Sequence, residues 1–212
     1  MIIEKVVVGA FQCNCTIIGC EETKEALIID PGDEPEKIKA VLKKHDLKPK
    51  YLLHTHAHLD HIMGTRNIKE NNLNSEILLH KADLNIYNRL KMQASIFGFK
   101  VEDPLTPDRF LEDEETLALG KEIKLKVIHT PGHSPGSICF HFDKLAKPMV
   151  FSGDTLFSGS VGRTDLWEAS HSQMISSIKN RLFSLEDETI VCPGHGDSTT
   201  VWKEKKTNPF FV

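Results

Sequence analysis

Residues 54–61 read "HTHAHLDH", four histidines and one aspartate in eight positions. Few folding roles need so many imidazoles side by side, whereas metal binding does. In an extended stretch, side chains two apart point the same way, so His56 and His58 can chelate one ion. If the chain then turns into a helix, Asp60 and His61 can face a neighbouring ion. Three later stretches add ligand types beside turn-forming glycine or proline: His133 in "TPGHSPG", Asp154 in "SGDT" and His195 in "PGHG". Imidazole nitrogen with carboxylate oxygen suits zinc, and also iron or manganese. One ion needs three or four protein ligands. Seven candidates suit two divalent ions that share a bridge. His54 is expected to pack at the strand end or support a ligand, with Thr55, Ala57 and Leu59 as spacers.

These residues need rigid elements to position them. "KYLLHT" is a buried strand that delivers the histidine cluster at its C-terminal end, and "HIMGTRNIKENN" follows with helical character. "IKLKVIHT", "KPMVFSGD" and "DETIVCPGHG" are strands that end on the other three loops, and "SICFHF" is a further strand. Upstream, "IIEKVVV", "CTIIGC" and "EALIID" are strand-like. "EPEKIKAVLKKHD" is a helix with Pro35 in its first turn and Ile38, Val41 and Leu42 on one face. "SEILLH" is another strand, with a helix beginning near Lys81. A further helix runs from about Ser172 to Phe183, burying Met174, Ile175, Ile178 and Leu182. "VEDPLTPDRFLEDEETLALG" reads as an ordered internal connection. Strands alternating with helices indicate layered α/β architecture, in which ligands gather at strand ends.

The 212 residues suit one domain, 1–212, with no repeat or linker. A formal net charge of −4 weighs against a nucleic-acid partner, and no apolar run reaches the roughly 18 residues a membrane span requires. The N-terminus lacks the pattern of an export signal. The five cysteines form no CxxC pair; Cys13 and Cys15 in "CNC" read as buried free thiols, and the cytoplasm is the expected location.

The successive motifs "HAHLDH", "PGHSPGS", "SGDTLF" and "PGHG" resemble, in order, those of the metallo-β-lactamase superfamily. "AFQCNCTII", "IIDPGD", "FGFKVEDPLTPDRFL", "FSGSVGRTDL" and "TNPF" narrow the likeness to the short bacterial form of the hydroxyacylglutathione hydrolases, or glyoxalase II. The resemblance implies an αββα sandwich without the helical C-terminal domain of the long enzymes. It places His56, His58 and His133 on a first metal, Asp60, His61 and His195 on a second, and Asp154 between them. It sets Arg163 beside a glutathione moiety, with Lys203, Lys205 and Lys206 as further basic candidates. The implied cofactors are two divalent ions, zinc foremost.

The reaction then expected is cleavage of a small-molecule thioester such as S-lactoylglutathione, by attack of a metal-bridging hydroxide. Asp60 and Asp154 would serve both as ligands and in catalysis. A thiolate leaves with little need of protonation, so no serine or cysteine nucleophile is required. The rival reading is a single iron oxidising a glutathione persulfide, as in the related sulfur dioxygenases that share a "GRTD" type of segment. Hydrolysis of another ester or amide is the other alternative.

Overall fold

The structure, a computed structural model, describes residues 1–143 and 147–212. The chain divides into two compact units: Met1–Leu111 with Ala118–Ile123, and Glu112–Leu117 with Lys124–Val212.

The first unit is built on a six-stranded sheet in the order β1-β2-β3-β4-β5-β6. Its strands are β1 (Ile2–Val8), β2 (Cys13–Gly19), β3 (Glu25–Ile29), β4 (Lys48–Leu53), β5 (Glu76–His80) and β6 (Arg109–Leu111). β1 alternates between half-buried and exposed residues, as an edge strand covered on one face does, whereas every residue of β2 is buried. β1 to β3 pair antiparallel, but β3 to β6 run parallel. The C-terminal ends of β3 and β4 therefore emerge side by side.

The crossover between them is α1 (Pro35–His45). It starts with proline in its first turn, buries Ile38 and Leu42, and stops at Asp46 in the left-handed region. Val41, the third predicted apolar position, is half-buried. After β4 come α2 (Leu59–Ile62) and α3 (Thr65–Glu70). The single helix expected over this stretch is thus two short ones, parted at Met63 and Gly64. At the break the Gly64 amide donates out of the helix to the Gly32 carbonyl at 2.9 Å, and the close approach admits only glycine, since a Cβ there would sit 2.7 Å from the Pro31 carbonyl oxygen. The helix expected near Lys81 comprises a 3₁₀ turn at Lys81–Asp83, then α4 (Leu84–Asn88) and α5 (Leu90–Ile96). Ile17, Ile28, Ile38, Leu52, Ile62, Ile68, Leu79 and Tyr87 are among the residues of this unit's core.

The second sheet has the order β14-β13-β10-β9-β8-β7. Its strands are β7 (Thr116–Leu119), β8 (Ile123–His129), β9 (Ile138–Phe142), β10 (Met149–Gly153), β13 (Ile190–Pro193) and β14 (Thr199–Thr200). Two short strands, β11 (Leu156–Phe157) and β12 (Ser160–Val161), form a hairpin of their own. α6 (His171–Ser177) runs into a wider π-type turn, Ile178–Leu182, and α7 (Val201–Thr207) follows β14. Met174, Ile178 and Leu182 are buried as predicted, with Val150, Leu156, Val191 and Val201, while Ile175 is only half-buried. β10 and β13 are parallel and in register from Met149↔Ile190, so their C-terminal ends also lie together. β6 and β7 fall within the stretch predicted as a connection. The five cysteines are not joined in disulfides, and Cys13 and Cys15 are buried. No helix among the described residues is long and apolar enough to cross a membrane.

Candidate metal centre

In the first unit, β4 ends at Leu53 and the chain enters the "HTHAHLDH" loop. His56, His58 and His61 are all buried, with the His56 ring centroid 4.8 Å from that of His58 and 4.1 Å from that of His61. Asp60 Oδ2 lies 3.6 Å from His61 Nε2.

What orients the rings is Asp30, the residue that follows β3. It occupies a left-handed conformation, φ 52°, which aspartate tolerates better than most residues. Its carboxylate accepts the Thr55 amide (2.8 Å) and the Thr55 hydroxyl (2.7 Å), and it sits 3.0 Å from His61 Nδ1. A carboxylate only accepts, so the His61 Nδ1 carries the proton and Nε2 is left as the ligand atom. The same logic reaches His56. Thr55 has committed its only hydroxyl proton to Asp30, so its oxygen, 3.1 Å away, accepts from His56 Nδ1. One carboxylate thereby fixes the tautomers of two imidazoles.

The backbone of the loop is pinned as closely. The buried Asp83 accepts the Ala57 amide (2.9 Å). The buried Gln93 of α5 accepts the Leu59 amide through Oε1 (3.0 Å) and donates through Nε2 to the Ala57 carbonyl (3.1 Å). Leu59 is the first residue of α2, so its amide is one of the donors a helix cannot satisfy internally. His58 is held on both sides. Gly32, in "IIDPGD", lets the chain pass directly over α2: a Cβ there would lie 1.7 Å from the Asp60 carbonyl oxygen.

His54 points elsewhere, as expected. It is fully buried, with Nε2 3.2 Å from Thr65 Oγ1, and burial pushes its imidazole down to a pKa of about 4. Burial likewise pushes the Cys13 thiol up to about 11, despite His61 Nδ1 at 3.6 Å.

In the second unit, Asp154 follows β10 and His195 follows β13, the two parallel neighbours. The Gly194 amide donates to the Gly153 carbonyl at 2.8 Å, which draws the two strand ends together. His133 sits in the loop after β8. Its Nε2 is 3.6 Å from Asp154 Oδ2, and His195 Nε2 is 3.7 Å from the same oxygen. His133 Nδ1 donates to the Arg163 carbonyl at 2.8 Å. The Arg163 guanidinium itself is exposed and bidentate on Asp165, at 2.7 and 2.9 Å. It is the backbone of Arg163, not its charge, that touches this constellation.

These contacts test whether a metal fits. With Nδ1 protonated, Nε2 of His61 and of His133 each turns a lone pair toward a carboxylate oxygen at 3.6 Å. Two acceptors so placed repel unless a cation lies between them. A tetrahedral ion about 2.1 Å from each ligand would hold them roughly 3.4 Å apart, close to what is observed. Within the first unit His56, His58, Asp60 and His61 lie together, and within the second His133, Asp154 and His195 do. Each unit thus presents a histidine–aspartate set whose donor chemistry is compatible with a divalent metal. Asp30, Asp83 and Gln93 were not identified as functional from the sequence. Only Asp30 lay in a quoted motif.

The sequence profile of the metallo-beta-lactamase superfamily matches residues 8–195. Along nearly its whole length the chain is 39% identical to the hydroxyacylglutathione hydrolase GloC of Haemophilus influenzae, covering 99% of this chain and 98% of that one. It is 34% identical to the probable metallo-hydrolase YqgX of Bacillus subtilis, with 96% and 94% covered. Among solved structures, the BLEG-1 B3 metallo-beta-lactamase superposes with a TM-score of 0.90 at 34% identity, covering all of both chains. A protein crystallised in a di-iron-bound form gives 0.87 at 40% identity, with 98% and 99% covered. The chain belongs to the metallo-beta-lactamase superfamily and has its fold, the αββα class expected from the motifs. It is a metallo-hydrolase of that superfamily.

Proposed function

We propose that the protein hydrolyses thioesters of the hydroxyacylglutathione class, S-lactoylglutathione foremost, with two divalent ions. His56, His58 and His133 would hold one ion, Asp60, His61 and His195 the other, and Asp154 would bridge. The observation that carries this reading is the preset tautomer of His56, His61 and His133, each held through Nδ1 so that Nε2 is the ligand atom. The full-length likeness to GloC supports the substrate class. Imidazole and carboxylate donors without thiolate suit zinc, while the di-iron relative makes iron the competing occupant.

When bound, the ions supply the Lewis acidity that activates water near neutral pH and polarises a carbonyl. The protein's own part is positional. Asp30, through Thr55 and His61, keeps the imidazoles aimed with Nε2 toward the metal side. Asp83 and Gln93 hold the loop so that His58 cannot swing away. Asp60 and Asp154, both partly accessible, are the carboxylates able to orient a water beside their ions. The thiolate leaves as an anion, and no side chain is needed to protonate it. Arg163, once drawn from Asp165, is the basic group offered to a carboxylate of the thiol moiety. The small-molecule substrate is the only partner this reading requires, and the cytoplasm is its setting.

Turnover of a thioester panel by protein reconstituted with defined metals tests the proposal. Cleavage of S-lactoylglutathione that His56→Ala abolishes is the expected result. Oxygen uptake on glutathione persulfide by protein holding one iron, without thioester cleavage, would establish the dioxygenase reading instead.

A further inference from the structure

The "TNPF" motif and the helix before it lie outside the mechanism above, yet they contain a buried polar cluster. Glu204, in α7, is fully buried. Its Oε1 accepts the Thr199 hydroxyl (2.6 Å), and its Oε2 accepts the Gly159 amide (2.9 Å) and the Asn208 side-chain amide (2.8 Å). Asn208, also fully buried, donates to the Ser160 carbonyl (3.1 Å) and accepts the Phe210 amide (3.1 Å). Gly159 and Ser160 form the tip of the β11–β12 hairpin, so the C-terminal helix grips that tip by two backbone groups.

The other end of the same hairpin meets two of the candidate ligands. The Gly162 amide donates to the Thr155 carbonyl (3.2 Å), and a Cβ on Gly162 would lie 1.8 Å from the Asp154 carbonyl oxygen. One residue on, the Arg163 carbonyl receives His133 Nδ1 at 2.8 Å. A five-residue stretch, 159–163, thus connects the buried Glu204–Asn208 pair to the backbone of Asp154 and the ring of His133. Burying a carboxyl and an amide is costly unless they are hydrogen-bonded, and here their bonds are spent on the hairpin, on Thr199 and on each other.

We propose that Glu204 and Asn208 are positioning residues for the metal centre, setting the orientation of His133 through the β11–β12 hairpin. This rests on His133 being a metal ligand. Without the clamp the hairpin tip loses two anchors, the Arg163 carbonyl drifts, and His133 loses the partner that fixes its tautomer.

The test compares Glu204→Ala, Asn208→Ala and Glu204→Gln with wild type. It reads Zn²⁺ affinity by competition against a chelating indicator and the His133 ring nitrogens by NMR in metal-free protein. Loss of such an outer partner weakens metal binding by about 10- to 100-fold. Glu204→Ala and Asn208→Ala should show that loss for at least one ion, together with a mixed His133 tautomer. Glu204→Gln, which keeps an oxygen for Gly159 and lets the Thr199 hydroxyl reverse, should bind within about twofold of wild type. Val201→Ala trims a buried contact of the same helix away from the clamp. It should lower thermal stability and leave zinc affinity unchanged. Glu204→Ala with wild-type affinity, or Val201→Ala as weak as Glu204→Ala, would overturn the proposal. Should Glu204→Ala fail to melt cooperatively, Asn208→Ala decides by the same criteria. Wild-type affinity in His133→Ala would instead overturn the ligand assignment on which the proposal stands.

Discussion

Replacing Gln93 by leucine, similar in size but apolar, separates the support of the metal loop from its ligands. Gln93 is buried and makes three side-chain bonds, to the Leu59 amide and to the carbonyls of Ala57 and Ile86. The Ile86 carbonyl also receives the Arg89 amide at 3.1 Å, so it keeps a partner. Leu59 N–H and Ala57 C=O depend on Gln93. A buried backbone group left unsatisfied costs about 1–3 kcal/mol, so the two together give roughly 2–4 kcal/mol once their non-additivity is allowed for. Urea unfolding of metal-free Gln93→Leu should show the free energy of unfolding lowered by that amount, read as an earlier midpoint with the slope unchanged. Because His58 lies between the two orphaned groups, zinc affinity should fall in parallel, by about tenfold or more. A loss below about 1 kcal/mol with wild-type zinc affinity would show that the loop holds its shape without the amide.

Other substitutions probe the same frame. Asp30→Ala removes the group that orients His61 directly and His56 through Thr55. Metal affinity should fall by about 10- to 100-fold in a chelator competition, and an unchanged affinity would refute the tautomer argument. Gly32→Ala would place a methyl 1.7 Å from the Asp60 carbonyl, so α2 must shift. Calorimetry should show a clear drop in melting temperature, and metal analysis fewer than two ions per chain. Asp113 offers a pH test away from the metals. Burial pushes its carboxyl up, but the Arg181 guanidinium and the His129 amide outweigh that and hold it below the ordinary carboxylate range. The pair therefore contributes stability above about pH 4 and loses it as the pH falls through the lowered value. Asp113→Asn should cost less than about 1 kcal/mol at pH 7, since both side chains are about a third exposed, and nothing in strong acid. A cost that persists there would mean the charge is not its source.

The candidate ligand set was legible because its chemistry is local. His56 and His58 alternate on an extended chain, Asp60 and His61 follow the turn into α2, and three strand ends carry the rest. The support of the loop was not legible, since Asp30, Asp83 and Gln93 are single polar residues 10 to 63 positions apart with no period to mark them. Only the parallel pairing of β3 with β4 and the packing of α5 bring them to the loop. The hydrophobic pattern likewise missed β6, whose neighbours Pro104 and Pro107 read as loop punctuation, and the break at Gly64, whose amide is drawn to the Gly32 carbonyl. Arg163 shows the opposite limit. Its position was found by motif, but the bond from His133 Nδ1 to its carbonyl could not be read from the spacing.

The central claim is that two ions, held by histidines with preset tautomers, cleave a thioester. The most direct measurement titrates metal-free protein with Zn²⁺ while following S-lactoylglutathione cleavage and oxygen uptake together. Cleavage that rises to its plateau at two equivalents per chain, without oxygen uptake, is the predicted result. A plateau at one equivalent, or no cleavage while iron-loaded protein consumes oxygen on a persulfide, would contradict it.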